Sequence, residues 1–465
     1  MKKKKAALLL FLSFLNFAYG QKEPTINITF SKWLANYDFI QKLSKNYPDN
    51  DSKFEFQSSK FFRQDFINLI NQFDTLNIYQ SYDFENYPTG QKMPVMTTSL
   101  IERNLINTTT IPQFKKQTFG IIPNEALFAF SNVLSEFEPV YDSLIYFPNK
   151  SVFEEQITKL KDYVKNSNLA LYFQKGLEFY GSEWDDSIPI EIAVIPSIQK
   201  GGFKAKAFLN CAIIEIPVHF EEYDILFSVL MHEIYHTVYD GQSLEFKLNL
   251  QSWFNQNPSK NSQYAHLLLN EALATALGNG YVYEQINGTT DVSDWYNVKY
   301  INLMAKLIFP VVKEYLKYNK QIDKAFVDEY IALYDDTFSY WMNELDHILS
   351  NRYVIADNLT EIEYFNNNYR YSSYFSSQTP VVQSALERMK ETPMTKVIII
   401  SSENKSKLKL VRSTFPELYK WKYKAQKEFI YTVNLQDKTK LIIINKHSTT
   451  LDKLLDDKFK NRIIE

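Results

Sequence analysis

Apolar residues recur at intervals of three and four through much of the first 185 positions. SKFFRQDFINLINQF (59–73), NEALFAFSNVLSEFEPVYDSLIYF (124–147) and SVFEEQITKLKDYVKN (151–166) all carry this spacing, which gathers the apolar side chains on one helix face. In the third, Ser151 and Glu154 stand in capping-box positions, so a helix is predicted to begin there. Pro- and Thr-rich connections such as MPVMTTS and NTTTIPQF lie between the helical stretches.

The pattern changes near Pro189. IEIAVIP is a short β-branched run, Gln199-Lys200-Gly201-Gly202 breaks the chain, FKAKAFLN alternates, and CAIIEIPVHF is extended again. Two or three strands of a small sheet are predicted here. From Glu221 the helical pattern returns. DILFSVLMHEIYHTVY is apolar nearly all round, which predicts a buried helix ending at Asp240-Gly241. Further helices are predicted over 242–256, 259–286, 292–318 and 323–350, the third kinked or split by Pro310. After about 394, KVIIIS reads as a strand, SKLKLVRSTF as a helix, and FIYTVNL with KLIIIN as a hairpin.

The expected fold is α+β and mostly helical. Its parts are an N-terminal helical region (21–185), a core with a small mixed sheet beside the 224–240 helix (186–390), and a small C-terminal α/β segment (391–465). Residues 1–20 stand apart. MKKKK, then AALLLFLSFLNF, then AYG before Gln21, have the charge, length and small residues of a secretory signal peptide. The apolar run is short for a transmembrane helix, so no stable membrane insertion is expected after cleavage, and the protein is expected to be secreted or periplasmic.

Composition sharpens the picture in three ways. The chain has 11 Gly in 465 residues, which disfavours glycine-rich architectures and favours helices. Its net charge of −3 becomes more negative once the four lysines of the leader are removed, leaving no basic stripe for nucleic acid. Cys211 is the only cysteine, so no intramolecular disulfide can form, and its apolar surroundings predict a buried thiol.

The chemistry concentrates in LMHEIYHTVYD (230–240). His232 and His236, four apart on a helix, project from one face and can chelate a single Zn²⁺. Glu233, one step round, can reach a zinc-activated water as a general base without ligating the metal. Two imidazoles and a carboxylate on so apolar a helix would be costly to bury without such a partner. A third ligand is required. Tyr239 and Gln242 occupy the positions where a metzincin carries Gly and His. His266 is one alternative. Glu271 is the stronger one, as the only acid in LLLNEALATALGNG (267–280), where a lone carboxylate needs a partner.

H-E-I-Y-H-T-V-Y-D followed by L-N-E-A-L-A resembles the gluzincin branch of zinc metallopeptidases, which includes thermolysin-like and aminopeptidase-like enzymes. The resemblance covers about residues 210–275. It implies a zincin-like core, Zn²⁺ on His232, His236 and Glu271, and Glu233 as catalytic base in hydrolysis of a peptide or protein substrate. It also implies a supporting role for Asp240 behind a ligand histidine, and an edge strand at NCAIIEIP for aligning substrate. Two features depart from the archetypes: Thr275 stands where a thermolysin-like enzyme has an acid, and there is no G-x-M-E-N stretch. For an oxyanion donor, order along the chain suggests Tyr330, Tyr334, Tyr340 or His347. The competing expectation is a noncatalytic zincin scaffold or envelope binding protein holding a structural metal.

Overall fold

A computed structural model describes residues 24–82, 84–88, 95–199, 203–370 and 375–464. The predicted signal peptide and most of the 199–202 break lie outside these residues. The chain is α+β and mostly helical with small mixed sheets, as expected. Among the described residues, no helix is long and apolar enough to cross a membrane.

The chain divides into two compact units. The first comprises the described residues up to Leu76, with Ile101–Leu171 and Glu183–Phe220. Its sheet has four strands: β1 (Ile26–Phe30), β2 (Ile190–Ser197), β3 (Lys204–Phe208) and β4 (Cys211–Pro217), in the order β1-β2-β4-β3. The first three in that order run parallel, and β3 is antiparallel to β4. Every residue of β2 and β4 is buried, which explains why both read as continuous apolar runs. NCAIIEIP is therefore not the edge. The edge on that side is β3, whose KAKAF alternation exposes Lys204 and Lys206, a charged edge that discourages stray pairing. Cys211 is buried as expected, and burial pushes its thiol up to about 12.

Helices α1 (Lys32–Leu43) and α2 (Asn124–Tyr141) pack together in this unit. Ser31 caps α1 by accepting the Leu34 N–H, and Leu34 and Ile40 enter the core. The capping box expected at Ser151 does not form. The chain continues from a π-helical turn at Asp142–Tyr146 straight into a helix at Phe147–Asn166, so Ser151 lies inside it. Pro148 in the first turn favours that earlier start.

A buried lysine anchors α1. Lys42 Nζ lies 2.7 Å from Asp38 and 2.5 Å from Glu215 on β4. Burial works against its charge, but the two carboxylates outweigh that and raise its pKa. Burial also opposes ionisation of Glu215, yet Lys42 holds it below the usual carboxylate range. That contribution is present above the unfolded carboxylate pKa and is lost as pH falls through the lower folded value. Lys42→Met should cost this unit about 3–5 kcal/mol at neutral pH by stranding two carboxylates. The deficit should shrink near pH ~4, where those carboxylates take up protons. Denaturation midpoints at both pH values measure this.

The second unit comprises the described residues of Asn77–Leu100, Tyr172–Ser182 and those from Glu221 onward. It holds α3 (Tyr223–Asp240), α4 (Leu244–Gln256), α5 (Ser262–Thr275), α6 (Lys299–Lys317) and α7 (Lys324–Phe338). α5 runs on through a π-helical turn, Ala276–Val282, into Tyr283–Asn287. α6 continues through Pro310, so the expected split does not occur; Ile308, Phe309 and Val312 are buried around it, and their packing offsets the missing hydrogen bond. α7 stops at Phe338 instead of running to 350.

The C-terminal sheet is larger than predicted. Strands β5 (Arg352–Ala356), β6 (Phe375–Gln378), β7 (Thr395–Ile400), β8 (Phe429–Asn434) and β9 (Lys440–Asn445) lie in the order β8-β9-β7-β5-β6. The expected hairpin is β8–β9, and the other neighbours are parallel. The predicted boundary near 391 thus falls inside one sheet, and the boundary at 186 likewise separates strands from the helices of their own unit.

Candidate metal centre

The motif helix α3 is held by contacts on several sides. Leu226, Phe227, Leu230, Met231, Ile234, Tyr235 and Val238 are all buried. Ser182 Oγ donates to the Val238 carbonyl, and Gln242 Nε2 donates to that of Tyr180. Two glycines allow close approach. A Cβ at Gly176 would lie 2.4 Å from the Tyr235 ring, and one at Gly278 would lie 2.5 Å from the backbone nitrogen of His232. Gly278 belongs to the π-helical turn after α5, an irregularity often found at functional sites. The turn lets the backbone that carries Glu271 lie directly against the backbone that carries His232.

This packing brings His232, His236 and Glu271 together, with their ligand atoms all within 4.8 Å of one another. The two Nε2 atoms are 3.0 Å apart, and Glu271 Oε2 lies 3.5 Å from His236 Nε2 and 3.8 Å from His232 Nε2. A tetrahedral ion with bonds of about 2.0–2.2 Å separates its ligand atoms by roughly 3.3–3.5 Å, so shifts of a few tenths of an ångström admit zinc. The donor chemistry also suits it, being two imidazoles and one carboxylate, a set that leaves one tetrahedral position to a further ligand. Among the described residues this is the one His/Cys/Asp/Glu group that could hold an ion.

The electrostatics point the same way. Burial, then the neighbouring His236 charge, push His232 down to about 3. Burial works against a charged His236 as well, but the Glu271 carboxylate and its hydrogen bond outweigh it and raise His236 to about 10. The pair thus shares one positive charge facing a carboxylate. A cation at that point would replace the proton and satisfy all three groups.

The two histidines are oriented from behind. His236 Nδ1 lies 3.0 Å from Asn270 Oδ1, and His232 Nδ1 lies 3.4 Å from Thr275 Oγ1. With Nδ1–H donating to Asn270, the Nε2 lone pair of His236 is free for a metal. Asn270, not Asp240, makes this bond. Asp240 is kept close enough for its charge to be felt at His236 and at Lys247. Thr275 takes the corresponding place behind His232. If the three groups hold zinc, Asn270→Ala should weaken its affinity by about 10–100-fold without unfolding the protein, as read by chelator competition.

Glu233 is half-buried, and its charge reaches His236 and Tyr296. Tyr296 was not anticipated. Its ring stacks on that of His232 at 5.7 Å, and its hydroxyl bonds Glu271. It sits in a loop before α6, where no periodicity marks it, in a chain with 32 tyrosines. The tyrosines suggested by chain order are placed differently. Tyr334 bonds His347 within a buried group that includes Trp341, Tyr330 is buried against Phe254, and Tyr340 is exposed. His266 is a core residue stacked on Phe254 at 4.2 Å, with burial pushing it down to about 4.

Comparison with protein-family models, with curated proteins and with solved structures finds no match.

Proposed function

We propose that this protein is a secreted or periplasmic zinc metallopeptidase of gluzincin type, with a zincin-like core around α3 and α5. The observation that carries the proposal is the convergence of His232 Nε2, His236 Nε2 and Glu271 Oε2 within 4.8 Å on two helices, with Gly278, in the turn after the second, lying against the His232 backbone. These three residues would hold the ion. When bound, zinc would supply Lewis acidity, acidifying a water and polarising a scissile carbonyl. Glu233 would take the proton from that water and pass it to the departing amine. Tyr296, with its hydroxyl against Glu271, is placed to turn toward the developing oxyanion and donate to it. Asn270 and Thr275 would fix the imidazole orientations throughout.

The deciding experiment is metal analysis of the purified mature protein. Wild type is expected to carry about one zinc per chain and Glu271→Ala almost none. Failure of wild type to bind zinc under any loading condition would refute the proposal. A digest of a peptide library by the zinc-loaded wild type then tests hydrolysis. Tyr296→Phe should lower kcat with little change in KM, the signature of a group that acts on the transition state.

A further inference from the structure

The first unit contains a cavity of about 270 Å³ between α1 and the sheet. It is small by the standard of ligand pockets, large enough for a single metabolite of a few heavy atoms. Its charges are segregated. Asp38, Glu102 and Glu215 line it, and Glu102 and Glu215 are nearly sealed from solvent, with side chains 8% and 9% exposed. Lys204 and Lys206 line it from the edge strand β3, and the Lys206 side chain is 53% exposed. Floor and rim thus carry opposite signs. Leu34, Ile195 and Ile213 supply an apolar wall.

The floor is short of positive charge, with one ammonium for its two innermost carboxylates. Lys42 is its buried ammonium, and it is divided between Asp38 and Glu215. Burial, together with the charge of Glu215, keeps Asp38 above the usual carboxylate range in spite of Lys42. Lys206 reaches Glu102 at 2.7 Å from the rim. Counting Lys42 with the two rim lysines, three ammoniums face three carboxylates, so a ligand with net charge would unbalance the cavity. A zwitterion would not, and the polarity from floor to rim sets its orientation.

We propose that this cavity binds a free α-amino acid with an apolar side chain, its ammonium inward on Asp38 and Glu215, its carboxylate outward on Lys204 and Lys206, and its side chain on Leu34, Ile195 and Ile213. The site lies wholly within the first unit, and the proposal is independent of the metallopeptidase reading.

Calorimetric titration of the full mature protein with L-leucine tests it. Two analogues each lack one charge: 3-methylbutylamine has no carboxylate and 4-methylpentanoate has no ammonium. L-leucine should bind, and each analogue should bind about tenfold more weakly or worse. Asp38→Asn and Lys204→Met should each weaken L-leucine binding by about tenfold, and Lys204, being exposed, can be replaced without endangering the fold. Amino acids also chelate zinc, so the titration is repeated on Glu271→Ala, where binding should persist. The proposal is overturned by absence of heat with L-leucine. It is equally overturned if the amine binds as tightly as L-leucine, if binding is unchanged in a folded Asp38→Asn protein, or if it vanishes in Glu271→Ala.

Discussion

Glu233→Gln should abolish most hydrolysis while leaving zinc in place. The substitution keeps the size and the hydrogen-bonding reach of the side chain and removes its basicity. Glu233 is not among the three converging ligand atoms, so metal content should remain that of wild type. Turnover should fall by about 10²–10⁴-fold, the usual contribution of a positioned general base. Single-turnover assays on zinc-loaded wild type and variant, with metal content measured on the same samples, give both readings. Full activity in Glu233→Gln would remove this residue from the mechanism even if zinc is bound.

Gly278→Ala should damage both the stability of the second unit and its metal affinity. The added Cβ would lie 2.5 Å from the His232 nitrogen and 2.7 Å from its Cα and Cβ. These are backbone and near-backbone atoms, which cannot rotate away as the tip of a long side chain can. The two helical segments must therefore separate. Overpacking of this kind costs about 1–3 kcal/mol, and here the displacement falls on the segments that position the ligands. Both the melting temperature and the zinc affinity should drop. Gly176→Ala makes a useful comparison, because its clash is with the Tyr235 ring. A ring can tilt, so stability should suffer with a smaller effect on the metal.

Much of the candidate centre was legible because its signal is local. Spacing on one helix placed His232 and His236 together, and an acid isolated in an apolar stretch marked Glu271. The strands at 190–217 and the β8–β9 hairpin were legible for the same reason, since alternation and apolar runs depend on near neighbours. What was missed depends on distant ones. The pairing of β4 with both β2 and β3, which makes it interior, is decided by chain 20 residues away on one side and by the return of β3 on the other. Asn270 and Thr275 look like ordinary polar helix residues until the π-helical turn sets α5 against α3. Tyr296 lies in a loop and gains meaning only from the ring it stacks on. β5 and β6 are short, and β6, with the sequence FSSQ, has no apolar run to announce it.

The way Tyr172–Ser182 belongs to the second unit bears on how the protein could mature. Secreted hydrolases are often held inactive by a leading region that is later excised. Here a single cut after Ser182 that discarded everything before it would also discard Gly176, the Tyr180 carbonyl that receives Gln242, and the Ser182 hydroxyl that holds the carbonyl of Val238. The helix carrying His232 and His236 would lose part of its bed in the act of being released. Any activating cleavage that preserves this bed must therefore fall upstream of Tyr172, because Tyr172–Ser182 is built into the unit that carries the two histidines.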